Sequence, residues 1–129
     1  MTMLTSFIQS QKLQWLGFVV GLLVISVATL TPMEHLPDAP GSDKLHHVIG
    51  FGGWALMCAF GPLKRFLWMA VFIFLWGGVI ELIQPSVNRY GEWLDFYADG
   101  LGVFIVVLLR GMLYYRAKIR QFSERQNNS

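Results

Sequence analysis

Glu81-Leu82-Ile83-Gln84-Pro85-Ser86-Val87-Asn88-Arg89-Tyr90-Gly91-Glu92-Trp93-Leu94-Asp95-Phe96-Tyr97-Ala98-Asp99-Gly100-Leu101-Gly102 is the stretch whose reading decides the fold. An apolar run enters it from Phe66 and another leaves it at Leu101. A turn rich in ionisable groups therefore joins two segments of membrane-spanning character, and its polar residues mark where binding or chemistry has to be sought.

Composition supports a membrane class. The 129-residue chain is 54% hydrophobic and only 14% charged, against about 25% charged in an ordinary soluble domain. Its mean hydropathy is +0.48. A soluble domain of this size has too little interior to hide that much apolar surface. One domain, residues 1–129, is the expectation from length. The net charge of +2 is too small for a nucleic-acid partner, and the basic residues are not interleaved with aromatics in a groove-like patch. The single cysteine, Cys58, cannot form an internal disulfide and reads as a small packing residue.

Outward from the central stretch, the apolar runs predict an all-α membrane protein with four spans at about 13–30, 45–63, 66–84 and 94–115. Each approaches the roughly 17–25 residues that cross a bilayer. The first run, preceded by Lys12 and containing Ser26-Val27-Ala28, also carries signal-peptide features, but it is long for a signal hydrophobic region. Pro32, Pro37, Pro40 and Gly41 make residues 31–43 a loop. Ser42 or Asp43 then serves as N-cap of the second helix. Gly61-Pro62 ends that helix and Pro85 ends the third. Residues 116–129 form a basic tail, helical at first and then frayed.

Charge sets the expected orientation. With the N-terminus inside, eight of the ten Lys and Arg residues fall on the cytoplasmic side, and only Lys44 and Arg89 face out. Both termini are then cytoplasmic. Trp15, Trp68, Tyr114 and Tyr115 mark the inner boundary, and Tyr90, Trp93 and Tyr97 the outer one.

Counting spans also brings the polar residues together at the outer ends of the helices. Asp43 and His47 share one face of the second helix at i,i+4, as do Asp95 and Asp99 on the fourth. Glu81 and Gln84 share one at i,i+3 on the third, and Arg89 lies in the loop between. His46 is rotated about 100° from His47 and faces elsewhere. Glu81 and Asp99 are expected to lie deepest, where an unpaired carboxylate costs several kcal/mol. Each group also has a plainer reading: Asp43 as cap, Asp95 as a first-turn acid, His47 as packing, Gln84 on freed carbonyls, and Arg89 as a loop cation or the partner of Glu81 or Asp95. Glu34, Asp38 and Glu92 read as solvated acids. Gly17/Gly21, Ala55/Ala59 and Ala98/Gly102 read as small pairs that let helices approach closely.

Three kinds of work suit this residue set. His47 with Glu81, Asp95 or Asp99 forms a general acid–base set, which makes these four the candidate catalytic residues. Glu81, Asp95 and Asp99 are the candidate ligands for a hard cation such as Mg²⁺, bridged to a phosphate that Lys44 and Arg89 clamp. Asp43, Lys44, Gln84 and Arg89 are candidate binding residues for an anionic headgroup or a peptide without turnover. A zinc site lacks the usual Cys/His set, and Ser86 has no nucleophile-elbow context.

The blocks Asp43-Lys44-x-x-His47-x-x-x-Phe51, Glu81-x-x-Gln84, Arg89 and Asp95-x-x-x-Asp99-x-x-Gly102 resemble the VanZ-like family of small multi-span bacterial membrane proteins. The resemblance covers about residues 43–105. Asp99 departs from it, because the family usually has Asn at that point, so the role of that Asn does not carry over. The resemblance implies the fold, the bacterial cytoplasmic membrane and the candidate site, and links the family to low-level resistance to the glycopeptide teicoplanin; no reaction comes with it. The resulting expectation is an outward-facing pocket that binds, and acts on, an anionic envelope lipid or cell-wall precursor. The rival expectation is a structural or accessory membrane subunit. A small ion- or proton-coupled transporter is the third, and it needs a homo-oligomer, because four short spans leave little room for alternating access.

Overall fold

The computed structural model of the chain describes residues 10–128; the polar segment 1–9 and Ser129 lie outside the described residues. The described residues are all-helical. Helices α1 (Gln11–Leu30), α2 (Asp43–Cys58), α3 (Leu63–Ile83) and α4 (Trp93–Asn127) are joined by loops, with short 3-10 turns at Met33–His35 and Gln84–Val87.

Each boundary has a local cause. Thr31 turns into extended backbone before Pro32 and closes α1. Ser42 caps α2, its hydroxyl accepting from the Leu45 N–H at 3.2 Å, so Ser42 rather than Asp43 is the cap. Gly61 takes a φ of +104°, a left-handed conformation that suits glycine, and this turns the chain from α2 into α3. Beyond α3, the Gln84–Val87 turn ends at Asn88, which is left-handed at φ 57° and belongs to a residue type that tolerates the region.

Among the described residues, three helices are long and apolar enough to cross a membrane: α1, α3 with its 3-10 extension, and α4. The second expected span, 45–63, is shorter than its apolar run. Helix α2 has 16 residues, about 24 Å at 1.5 Å per residue, because it ends at Cys58 rather than at Leu63. The basic tail differs in the other direction. Instead of fraying, it continues α4 to Asn127, for 35 residues in all.

Helix α2 is the centre of the bundle and packs against the other three helices. His47, Phe51, Trp54, Ala55 and Cys58 recur at helical spacing and form its buried face. The core continues through Phe66, Met69, Ala70, Ile73 and Ile80 of α3 and Val103 and Val106 of α4. Close approach rests on the expected small residues. A Cβ on Gly21 would strike the Trp54 ring, and one on Gly102 would strike the Val48 carbonyl and the Gly52 amide. The outward faces stay apolar: Leu82 is 70% exposed, and Leu23, Val27, Leu75 and Leu113 are also exposed. Such a continuous apolar exterior fits a lipid environment and not water. Trp15, Trp68, Tyr90, Trp93, Tyr97, Tyr114 and Tyr115 are all exposed.

Candidate functional site

The antiparallel course of the helices gathers the chemistry at one end of the bundle. Helix α2 contributes Asp43, Lys44 and His47, α3 contributes Glu81, the following turn Gln84, and α4 Asp95 and Asp99. Asp99 is 0%, Asp95 and Gln84 are each 1%, and Glu81 and His47 are each 5% exposed. Burial of this many polar groups on three helices and a turn requires partners for them nearby.

His47 is its hub. The imidazole Nδ1 lies 2.8 Å from Asp99 Oδ1, and Nε2 lies 4.0 Å from Asp95 Oδ2. Facing a carboxylate, Nδ1 acts as the donor, which fixes the ring orientation and directs Nε2 toward Asp95. The ring also stacks parallel to Phe51, one turn on. Glu81 approaches from the other side. Its Oε2 accepts the Glu92 backbone N–H at 2.7 Å. Two oxygens of these carboxyls, Glu81 Oε1 and Asp99 Oδ2, are buried and have no hydrogen-bond partner among the described residues. Gly77 lets Asp99 pack this closely against α3: a Cβ there would lie 2.7 Å from Asp99 Oδ2.

The cation of the cluster is Lys44. Its Nζ donates to Glu92 Oε2 at 2.9 Å and to Asp95 Oδ1 at 3.2 Å. Its ammonium is held above the ordinary lysine value, chiefly by the hydrogen bond to Glu92 and then by that to Asp95. Two expectations are corrected here. Arg89 pairs with neither Glu81 nor Asp95; its Nη1 donates to the Thr31 carbonyl at 3.3 Å. Glu92 is not simply a solvated acid, because it holds Lys44 with its side chain and Glu81 with its amide. Gln84 does bind a carbonyl, that of Thr29 at 3.1 Å, and so ties the end of α3 to the end of α1. His46 points away as its register requires, onto the Pro40 carbonyl at 2.8 Å.

A cavity of about 300 Å³ opens beside the hub. Asp43, His46, His47 and Arg89 supply its polar wall, and Ile25, Leu36, Pro37 and Phe51 its apolar one. The loop between α1 and α2 thus forms one side of the cavity, a role that its proline content did not announce. Asp95 and Asp99 do not line the cavity directly; they lie behind His47.

The possible metal ligands also regroup. His47, Glu81 and Asp99 offer ligand atoms within 4.8 Å of one another, and so do Asp43, His47 and Asp95. Asp95 therefore leaves the Glu81/Asp95/Asp99 set expected from sequence, and His47 joins both sets.

Sequence reasoning missed the polar pair at the opposite end of the bundle. Gln14, 0% exposed, donates to the carbonyls of Cys58 at 3.0 Å and Pro62 at 3.2 Å. Arg110 donates to those of Ala59 at 3.0 Å and Gly61 at 3.3 Å. The available signal was a lone glutamine inside the charge-free run of α1. No protein-family profile, curated protein or solved structure matches this chain, so the functional argument rests on this geometry.

Proposed function

We propose that the chain is a VanZ-like protein of the bacterial cytoplasmic membrane, and that its outward-facing pocket binds an anionic envelope lipid or cell-wall precursor. The order and spacing of the Asp43/His47, Glu81/Gln84, Arg89 and Asp95/Asp99 blocks support the family reading. Four crossings with both termini inside are supported by the course of α2. Its first residues meet Asp95 and Asp99, whereas Cys58 and Gly61 meet Gln14 and Arg110 at the far end. The distribution of Lys and Arg supports the orientation.

The observation that carries the binding reading is the cavity of about 300 Å³ with Arg89 and His47 on its wall. That volume suits a headgroup, and the exposed apolar faces of the helices suit the tails. Arg89 meets the Thr31 carbonyl through Nη1 and is paired with no acid among the described residues, so its charge is available to a phosphate or carboxylate. His47 gives the cavity a wall of its ring, while its nitrogens are turned to the carboxyls behind it, Nδ1 to Asp99 and Nε2 toward Asp95.

Native mass spectrometry of gently purified protein tests this reading. An anionic or polyprenyl lipid is expected on the wild-type chain and lost from Arg89→Ala and His47→Ala. Equal retention by all three proteins, or no selective lipid on any, would refute the headgroup site. A second reading, that of a non-enzymatic accessory subunit, is favoured by the Lys44 bridge to Asp95 and Glu92 and by the Gln84 tie to Thr29, both of which join helices. Under it, alanine at Glu81 or Asp99 lowers thermal stability in detergent strongly.

A further inference from the structure

The charges at the hub do not balance. Glu81, Asp95, Asp99 and His47 are each at most 5% exposed. Lys44 is engaged with Asp95 and Glu92, and Arg89 lies on the Thr31 carbonyl and forms no ion pair with these carboxyls. That leaves Glu81 and Asp99 facing one imidazole, with Glu81 Oε1 and Asp99 Oδ2 buried and without a donor. A buried carboxylate oxygen without a donor is unfavourable by several kcal/mol. Here two occur, on residues that together with His47 offer ligand atoms within 4.8 Å of one another.

We infer that His47, Glu81 and Asp99 form a binding site for a single divalent transition-metal ion, Mn²⁺ or Zn²⁺, behind the headgroup cavity. The donor set chooses the ion class. One imidazole nitrogen with two carboxylate oxygens suits Mn²⁺ or Zn²⁺ better than Mg²⁺, which favours an all-oxygen octahedron. The geometry is close to what such an ion needs. Three ligands each about 2.0–2.2 Å from one ion stand at most about 3.8 Å from one another, and the three groups lie within 4.8 Å of one another. Side-chain movements of up to about an ångström close the set, and the Nδ1 proton now shared with Asp99 is released as the ion enters.

Support from surrounding groups is also present. The Glu92 amide holds Glu81 through Oε2 and leaves Oε1 unengaged. The neighbouring set of Asp43, His47 and Asp95 is the poorer candidate, because Asp43 is exposed and Lys44 already holds Asp95 Oδ1. Bound at the inner set, the ion offsets both carboxylates and sits one side chain away from the cavity, which His47 also lines. Asp99 is the residue that makes this chain suited to it, since an asparagine there would offer a neutral and weaker ligand. The inference concerns the same residues as the binding reading, but holds whichever ligand fills the cavity.

The test uses the full chain in lipid nanodiscs, stripped with chelator and titrated with Mn²⁺ while the free-ion electron paramagnetic resonance signal is followed. The wild-type chain is expected to bind one Mn²⁺ and to release it to Zn²⁺. Affinity is expected to fall by at least about tenfold in Glu81→Gln and in Asp99→Asn, and to be unchanged in Glu34→Gln, whose acid lies in the exposed loop. Helicity and gel-filtration volume confirm that each variant folds. Should the wild-type chain retain neither ion, or should Glu81→Gln and Asp99→Asn bind as it does, the inference is overturned and the two carboxyls are held by protons instead. The wild-type titration decides this without the variants, and because it involves no lipid ligand its failure is separate from failure of the headgroup site.

Discussion

The two ends of the bundle bury polar side chains in opposite ways. At one end, Gln14 and Arg110 aim their donors at the backbone carbonyls of Cys58, Ala59, Gly61 and Pro62. Those of Cys58, Ala59 and Gly61 belong to the end of α2 and the turn after it, where intrahelical partners run out, while that of Pro62 also accepts the Phe66 N–H at the start of α3. At the other end, His47, Asp95, Asp99 and Glu81 face mainly one another, and two carboxylate oxygens have no donor. The first arrangement completes a short helix. The second holds unbalanced charge in a buried place, which a protein retains when the site has work to do. Buried polarity alone is therefore a poor guide to function; what the side chain is aimed at separates the two cases.

Arg110→Ala should produce the largest effect on that contrast. It exposes two carbonyls to an apolar interior, and a loss of about 2–3 kcal/mol is expected, read as a lower denaturation midpoint in detergent. A midpoint equal to wild type would remove the structural role assigned to that end. Gln14→Leu should follow, at about 1–3 kcal/mol, since its shape is kept while the Cys58 carbonyl loses its side-chain donor and the Pro62 carbonyl keeps only the Phe66 N–H. Measured in the same detergent, it should leave metal and lipid retention at the other end unchanged; a loss of either would mean the ends are coupled.

Lys44→Ala should have the smallest effect on stability, because the lysine is partly solvated. Its raised pKa fixes the sign of the pH dependence. The Lys44 contribution is present at and below the ordinary lysine value of 10.5 and is lost as pH rises through the higher folded value. Wild type and Lys44→Ala should therefore converge in midpoint only in strongly alkaline solution. Convergence already near neutral pH would show that the bridge to Glu92 and Asp95 does not form.

The difference between the ends also explains what could be read from the sequence. The long helices were legible in apolar runs interrupted by Pro32, Gly61, Pro62 and Pro85, because breaking a helix is a local property of the chain. The convergence of His47, Glu81 and Asp99 was legible because i,i+4 spacing and an alternating helix direction fix both face and end. Pairing within the cluster was not. Lys44 and Arg89 are equivalent as sequence symbols, and only the packing of α2 against α4 brings Lys44 to Asp95 and leaves Arg89 beside Thr31. Gln14 was hidden for the same reason: its partners lie 44 and 48 residues away. The length of α2 was misread because residues 59–63 are apolar, and apolarity does not reveal where backbone geometry leaves the helix. Helix α4 ran on past its apolar run because Arg116, Lys118 and Arg120 are good helix formers that need no core.

The most direct measurement is the denaturation midpoint of the chelator-stripped double variant Glu81→Gln/Asp99→Asn, beside wild type in the same detergent. The account predicts a midpoint equal to or above that of wild type, because two buried acids without sufficient counter-charge have been neutralised while the hydrogen bonds to Glu92 and His47 can persist. A fall as large as that of Arg110→Ala would contradict it, and would make the His47 cluster helix-tying structure of the same kind as the opposite end.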